Sequence, residues 1–143
     1  MFFRKIGRDR GATLQALVGQ ITATIDGLPA ELAVEKQALL TAVGDMQAIM
    51  AAMMGKLGQS VYHVGMQGNR ILFALAELVI GWRLVINAKV ALGQRGGADA
   101  AFYAGKLAAA RWYARNVLPG IAHARKLIEA GDLDLMELAD DAF

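Results

Sequence analysis

Residues 71–92 read ILFALAELVIGWRLVINAKVAL, a run without proline in which Glu77, Arg83 and Lys89 are the charged positions. A stretch this long and this apolar either crosses a bilayer or becomes a helix enclosed by other helices. The charges decide between the two. Spaced six apart, they spread around the helix, and each costs about 2.5–3.5 kcal/mol near a bilayer centre. No membrane span is expected. A helix apolar nearly all round sits between others, so its neighbours must also be helices. Glu77, deep in the run, then needs a partner, and Lys106, Arg111 or Arg115 is expected within salt-bridge distance of it.

The rest of the chain supplies those neighbours. Leu14, Leu17, Val18, Ile21 and Ile25 recur at three and four residues, predicting a helix over 8–26 that Gly27 stops. Pro29 suits the first turn of a second helix over 29–57. Its seam is Leu39, Val43, Met46, Met50, Met53 and Leu57. Met46, Met50, Met53 and Met54 would suit a pliable ligand groove, but methionine at seam spacing is more commonly core filling. Residues 59–69 read as a loop or as the first turns of the third helix, with Ser60 as cap, giving 60–93. After the break QRGG, Asp99 is the expected cap of a fourth helix over 98–130 that runs past or around Pro119. On it Phe102, Lys106, Ala109, Tyr113 and Asn116 share one face. Ala108, Ala109 and Ala110 would admit a close neighbour. Arg111 and Arg115, four apart, await carboxylates or solvent. The acidic tail is expected to add one turn at 136–140. Short connections between four long helices predict an all-α, elongated, antiparallel up-down-up-down four-helix bundle, one domain over 1–143.

Residue types exclude much chemistry. The 143 residues include no cysteine, which removes disulfides, thiolate nucleophiles and cysteine-ligated metals. A formal net charge of +2 gives no argument for a nucleic-acid partner. His63 and His123 lie far apart and lack second ligands at metal spacing, and neither follows a glutamate by three as di-iron bundles require. Residues 65–68, GMQG, lack the preceding strand and the Lys-Ser/Thr pair of a phosphate loop. The basic cluster Arg4, Lys5, Arg8 and Arg10 could bind an anion, but a solvated chain start is the commoner explanation, and no apolar run follows it to make a secretory signal. A cytoplasmic location is expected. No catalytic, cofactor-binding or metal-binding residue is assigned, and Glu77 reads as half of a structural pair, not as a catalytic carboxylate.

Two longer segments carry a resemblance. Phe102-Tyr103-Ala104-Gly105-Lys106-Leu107-Ala108-Ala109-Ala110-Arg111-Trp112-Tyr113-Ala114, followed by Val117-Leu118-Pro119, resembles the pattern F-Y-x-x-K-L-A-x-A-R-[FW]-[FY]-A…[VL]-L-P. The ending Gly131…Leu135-Met136-Glu137-Leu138-Ala139-Asp140-Asp141-Ala142-Phe143 resembles G…VMALxEDxF, and two shorter elements, Gly81-Trp82 and Phe3-Arg4-Lys5-Ile6-Gly7-Arg8-Asp9, fit the same family. It is the C-terminal helical domain of a subgroup of bacterial acyl-CoA dehydrogenases, including the large fatty-acyl-CoA and methylmercaptopropionyl-CoA enzymes. The resemblance implies a parent enzyme whose carboxylate base removes the acyl-CoA α proton while the β hydride passes to FAD. In that family the catalytic glutamate, in a Y-E-G-T-x-G-I-Q segment, and the flavin contacts lie in preceding domains, and nothing in this sequence matches that segment. A structural or assembly role is therefore implied, with the remainder of the dehydrogenase or its subunits as partner, a homo-oligomer as a further possibility, and no cofactor in this chain. A free-standing helical adaptor and an acyl-CoA-binding module using Arg111, Arg115 and the methionines are the alternatives.

Overall fold

The computed structural model of the protein describes residue 9 and residues 11–142. The basic cluster Arg4, Lys5, Arg8 and Arg10, the resemblance at 3–8, and Phe143 lie outside the described residues. Among those described, the chain forms five α-helices and three short 3-10 turns, with no strand.

The first helix, α1, spans Ala12–Asp26, four residues later than the predicted start at 8. Gly11 has φ +83°, the left-handed region that glycine enters freely, and regular helix cannot run back through it. Asp9 takes up the free donors at this end. Its carboxylate accepts from the amides of Gly11 and Thr13, each at 3.0 Å, and from the Thr13 hydroxyl. These bonds, led by the hydroxyl, lower the Asp9 pKa. The predicted stripe faces the core, with Ile21 and Ile25 buried and Leu17 and Val18 packed at its edge.

Residues Ala30–Leu32 make a 3-10 turn that leads into α2, Ala33–Leu57. Leu39, Val43, Met46 and Met53 are buried as the seam predicts, with Met50 and Leu57 at its margin. Burial extends further, to Leu32, Glu35, Ala42, Asp45 and Ile49, because α2 packs against each of the other four helices. The central helix is therefore α2, not the third helix as expected.

The third helix, α3, spans Tyr62–Leu92; Val61 and not Ser60 stands in the cap position, and Ser60 Oγ accepts from the Tyr62 amide at 3.2 Å. Its buried positions alternate three and four: Val64, Gln67, Ile71, Ala74, Leu78, Gly81, Val85 and Ala88. Tyr62, Met66, Phe73, Ile80 and Val90, on the other side, are apolar yet exposed. The expectation of a helix enclosed on all sides is corrected: apolar composition on every side does not mean packing on every side. By length and composition Ala30–Leu57 and Tyr62–Leu92 are both long and apolar enough to cross a membrane. In this fold each gives one continuous stripe to the shared core.

The predicted helix over 98–130 divides into α4, Ala100–Asn116, and α5, Gly120–Ala130. Pro119 has no N–H to continue the ladder. The Leu118 amide reaches back five residues to the Tyr113 carbonyl at 3.3 Å, and Gly120 and Ile121 bond three residues back. Leu118 is buried at the break, lying against α3 where Gly81 leaves no Cβ. A Cβ added there would stand 2.7 Å from Leu118 Cδ2. Asp99 stands before α4, but its side chain makes no capping bond. The tail forms 3-10 turns at Asp134–Met136 and Asp140–Ala142 in place of the one turn expected at 136–140.

Candidate functional site

The residues singled out on α4 do not form its inner face. Leu107, Ala110 and Ala114 are buried, whereas Phe102, Lys106, Ala108, Ala109 and Asn116 are exposed and Tyr113 is half-buried. The true inner line is offset from the predicted one. A helix with alanine on every side offers too little contrast in hydrophobicity to fix the offset from sequence. Lys106 rests its ammonium 4.9 Å from the centre of the Phe102 ring, one turn away on the same outer surface.

Glu77 is likewise not the buried carboxylate. It sits on the flank of α3, half-exposed, in a shallow cleft of about 360 Å³ with Arg70, Phe73, Gly120 and His123. None of Lys106, Arg111 and Arg115 pairs with it. Its neighbour from α4 is Tyr113, whose hydroxyl donates to the Glu77 backbone carbonyl at 3.3 Å. Burial, and then the Glu77 charge, raise the Tyr113 pKa.

The buried carboxylate is Glu35, on α2. It is 1% exposed, and among the described residues its buried Oε1 has no hydrogen-bond partner. Arg111 Nε stands 4.0 Å from it. Arg111 does meet a carboxylate, from a helix that the pattern did not suggest, while Arg115 stays exposed. The signal was available: stepping four residues back along the seam from Leu39 lands on Glu35. A second tie that sequence reasoning missed joins α2 to α5. Arg125 bonds Asp45 at 3.2 Å and Glu129 at 2.7 Å, and these two partners hold its pKa above the ordinary value. Lys56, at the end of α2, donates to the Gly131 carbonyl just past α5. Trp82 Nε1 donates to Thr24 Oγ1 at 2.9 Å, tying α3 to α1.

These groups are consumed in holding helices together. Among the described residues no three of His, Asp and Glu converge as a metal site. His63 is buried on α3 and His123 exposed on α5. The four methionines divide: Met53 is core, Met46 is core with an edge on a cleft, and Met50 and Met54 line that cleft. The cleft, about 830 Å³ between α1 and α2, is walled by Leu14, Val18 and these methionines, with Gln15 and Gln47 as its polar side chains. Among the described residues its lining is apolar apart from the two glutamines and carries no charged side chain.

A chain that is all-α among its described residues, in which the buried carboxylates Glu35 and Asp45 tie helices together, is the class that fold and site define. Its sequence matches the family described as acetyl-CoA dehydrogenase C-terminal like over residues 17–139, and the chain belongs to that family. It is 38% identical, over 99% of its length, to the broad-specificity linear acyl-CoA dehydrogenase FadE5 of Mycobacterium tuberculosis, of which the match spans 25%. A shorter match, 40% identical over 45 residues and covering 32% of this chain and 7% of the relative, joins it to a butyryl-CoA dehydrogenase of Syntrophomonas wolfei. The chain thus spans about a quarter or less of the length of these relatives.

Proposed function

We propose that this chain serves as the C-terminal helical domain of an FAD-dependent acyl-CoA dehydrogenase, with a structural or assembly role and no catalysis of its own. The observation that carries this reading is the match to FadE5 along 99% of the chain. The packing supports it, since Glu35, Asp45, Lys56 and Arg125 are engaged between helices and are not gathered around a cavity. On this reading the parent enzyme supplies FAD, the carboxylate base and the acyl-CoA pocket from preceding domains. The helices form one elongated up-down-up-down domain over 1–143, with α4 and α5 together as its fourth member. The pairs Glu35–Arg111, Asp45–Arg125 and Lys56–Gly131 support that order, because they advance together along α2 and along α4–α5. The domain docks on the rest of the dehydrogenase in the cytoplasm, without a membrane span and without nucleic acid.

Sequencing the gene upstream of Met1 tests the reading. An in-frame Y-E-G-T-x-G-I-Q segment is expected, and an in-frame stop codon in its place would leave a free-standing adaptor. The purified chain should carry no flavin absorbance and give no heat with millimolar acyl-CoA. Saturable heat would make it an acyl-CoA-binding module instead.

A further inference from the structure

The exposed side of α3 repeats as regularly as the buried one. Tyr62, Met66, Asn69, Phe73, Ala76, Ile80, Arg83, Asn87 and Val90 alternate four and three, and all are exposed. Phe73 is 66% exposed, and Tyr62 and Val90 are each 57%. This is a heptad seam on a 31-residue helix, the pattern that another helix fills by knobs-into-holes packing. One flank of the seam is apolar, with Leu72 and Val79. The other is charged, with Arg70 and Glu77 seven apart and so on the same side.

We infer that the occupant is a second copy of this chain, its α3 packed antiparallel against the first. A parallel pair sets Arg83 against Arg83 and leaves Ala76 facing Ala76 across a gap. An antiparallel pair with its two-fold axis level with Ala74 and Leu75 meets neither fault. Each Phe73 then lies over the small Ala76 of the other copy, and Tyr62 meets Asn87. The same register sets Leu72 beside Val79 on the apolar flank and Glu77 beside Arg70 on the charged flank, twice each by symmetry. Sliding one helix by a heptad, so that Asn69 meets Asn87, brings the two Glu77 side chains together instead. Charge complementarity therefore selects the register as well as the direction. From Tyr62 to Asn87 the seam is roughly 38 Å long and about 10 Å wide. That is roughly 760 Å² for the two copies, below the ~1,200 Å² of stable complexes. The pairing is a weak, concentration-dependent dimer that requires this chain alone.

Sedimentation of the purified chain over a rising concentration series tests it. The average mass should climb from monomer towards dimer, and Phe73→Glu should hold it at monomer while the helical circular dichroism and unfolding midpoint stay unchanged. Glu77→Arg should weaken the dimer, and adding Arg70→Glu should restore it. The natural chain has no cysteine, so Tyr62→Cys with Asn87→Cys should give a covalent dimer on oxidation. Either single variant, or Asn69→Cys with Asn87→Cys, should not. A monomer at every concentration overturns the inference and leaves this side of α3 to a different chain. So does a dimer indifferent to Phe73→Glu, or cross-linking by the control pair in place of the first.

Discussion

Replacing Gly81 by alanine probes the close contact between α3 and the break before α5. In an open helix interior, glycine to alanine stabilises by roughly 0.8–1 kcal/mol, because glycine has more backbone freedom to lose on folding. Gly68, on the same helix, is such a place, with nothing within 4 Å of an added Cβ. At Gly81 the new carbon would lie 2.7, 3.2 and 3.3 Å from Leu118 Cδ2, Cγ and Cδ1. Ordinary carbon contacts are about 3.5–4.0 Å, and Leu118, 2% exposed, is packed at the break. Its whole side chain must shift, an overpacking penalty of about 1–3 kcal/mol. Set against the propensity gain, Gly81→Ala should destabilise by about 1 kcal/mol while Gly68→Ala stabilises by about the same. Urea unfolding followed by circular dichroism resolves that difference of about 2 kcal/mol, as does a melting difference of roughly 4–8 °C. The cycle with Leu118→Ala sharpens the test. Alone, that change opens a cavity and costs about 2–5 kcal/mol. With the cavity present, Gly81→Ala should become stabilising, because its methyl group then fills space. If Gly81→Ala stabilises the natural chain as much as Gly68→Ala does, the close approach of α3 to Leu118 is wrong.

Four further outcomes follow from the polar ties. Glu35→Gln keeps the shape and removes a charge whose Oε1 lacks a hydrogen bond among the described residues, so stability should hold or rise by about 1 kcal/mol. Arg111→Ala, discounted because Arg111 is 42% exposed, should cost about 1 kcal/mol in the natural chain and less beside Glu35→Gln; equal losses in both backgrounds would refute the pairing. Thr24→Val preserves volume but removes the acceptor for Trp82 Nε1, and should cost about 1–2 kcal/mol. It should also shift Trp82 fluorescence, read in a Trp112→Phe background. Asp9 has a folded pKa below its ordinary 3.8, so its contribution is complete above that value and is lost as pH falls through the folded pKa. An acid titration of stability should therefore flatten in Asp9→Asn, and an unchanged profile would mean that the Thr13 bonds contribute nothing.

Much of the fold was legible because periodicity reports which residues share a face. Ile21 and Ile25 on α1, and Leu39, Met46 and Met53 on α2, stand buried where their spacing put them. Periodicity does not report which of two apolar faces has a neighbour. On α3 both sides repeat in heptads, and only packing distinguishes Leu78, which is buried, from Ile80, which is 48% exposed. Glu77 was misjudged for that reason, being surrounded by apolar letters and not by apolar neighbours. Glu35 escaped notice because a carboxylate on a seam looks like the seam's end. Pro119 announced an interruption, but not that the residue before it would seat against a glycine thirty-seven positions upstream.

That seating sets a rule for chain length. Leu107 and Leu118 are both held against the core, the first on regular helix and the second at the break. One residue inserted between them would turn everything downstream by about 100° around the helix axis. Ile121 and Ile128 would swing out, and Gly120, His123 and Leu127 would turn towards the core in their place. Insertions of three or four residues nearly restore the angle, but they displace α5 along its axis by about 5 Å, pulling Arg125 away from Asp45 and Gly131 away from Lys56. The segment from α4 into α5 therefore tolerates neither small nor turn-sized changes in length, whereas the connection at 93–99, exposed throughout, is where variation in length can accumulate.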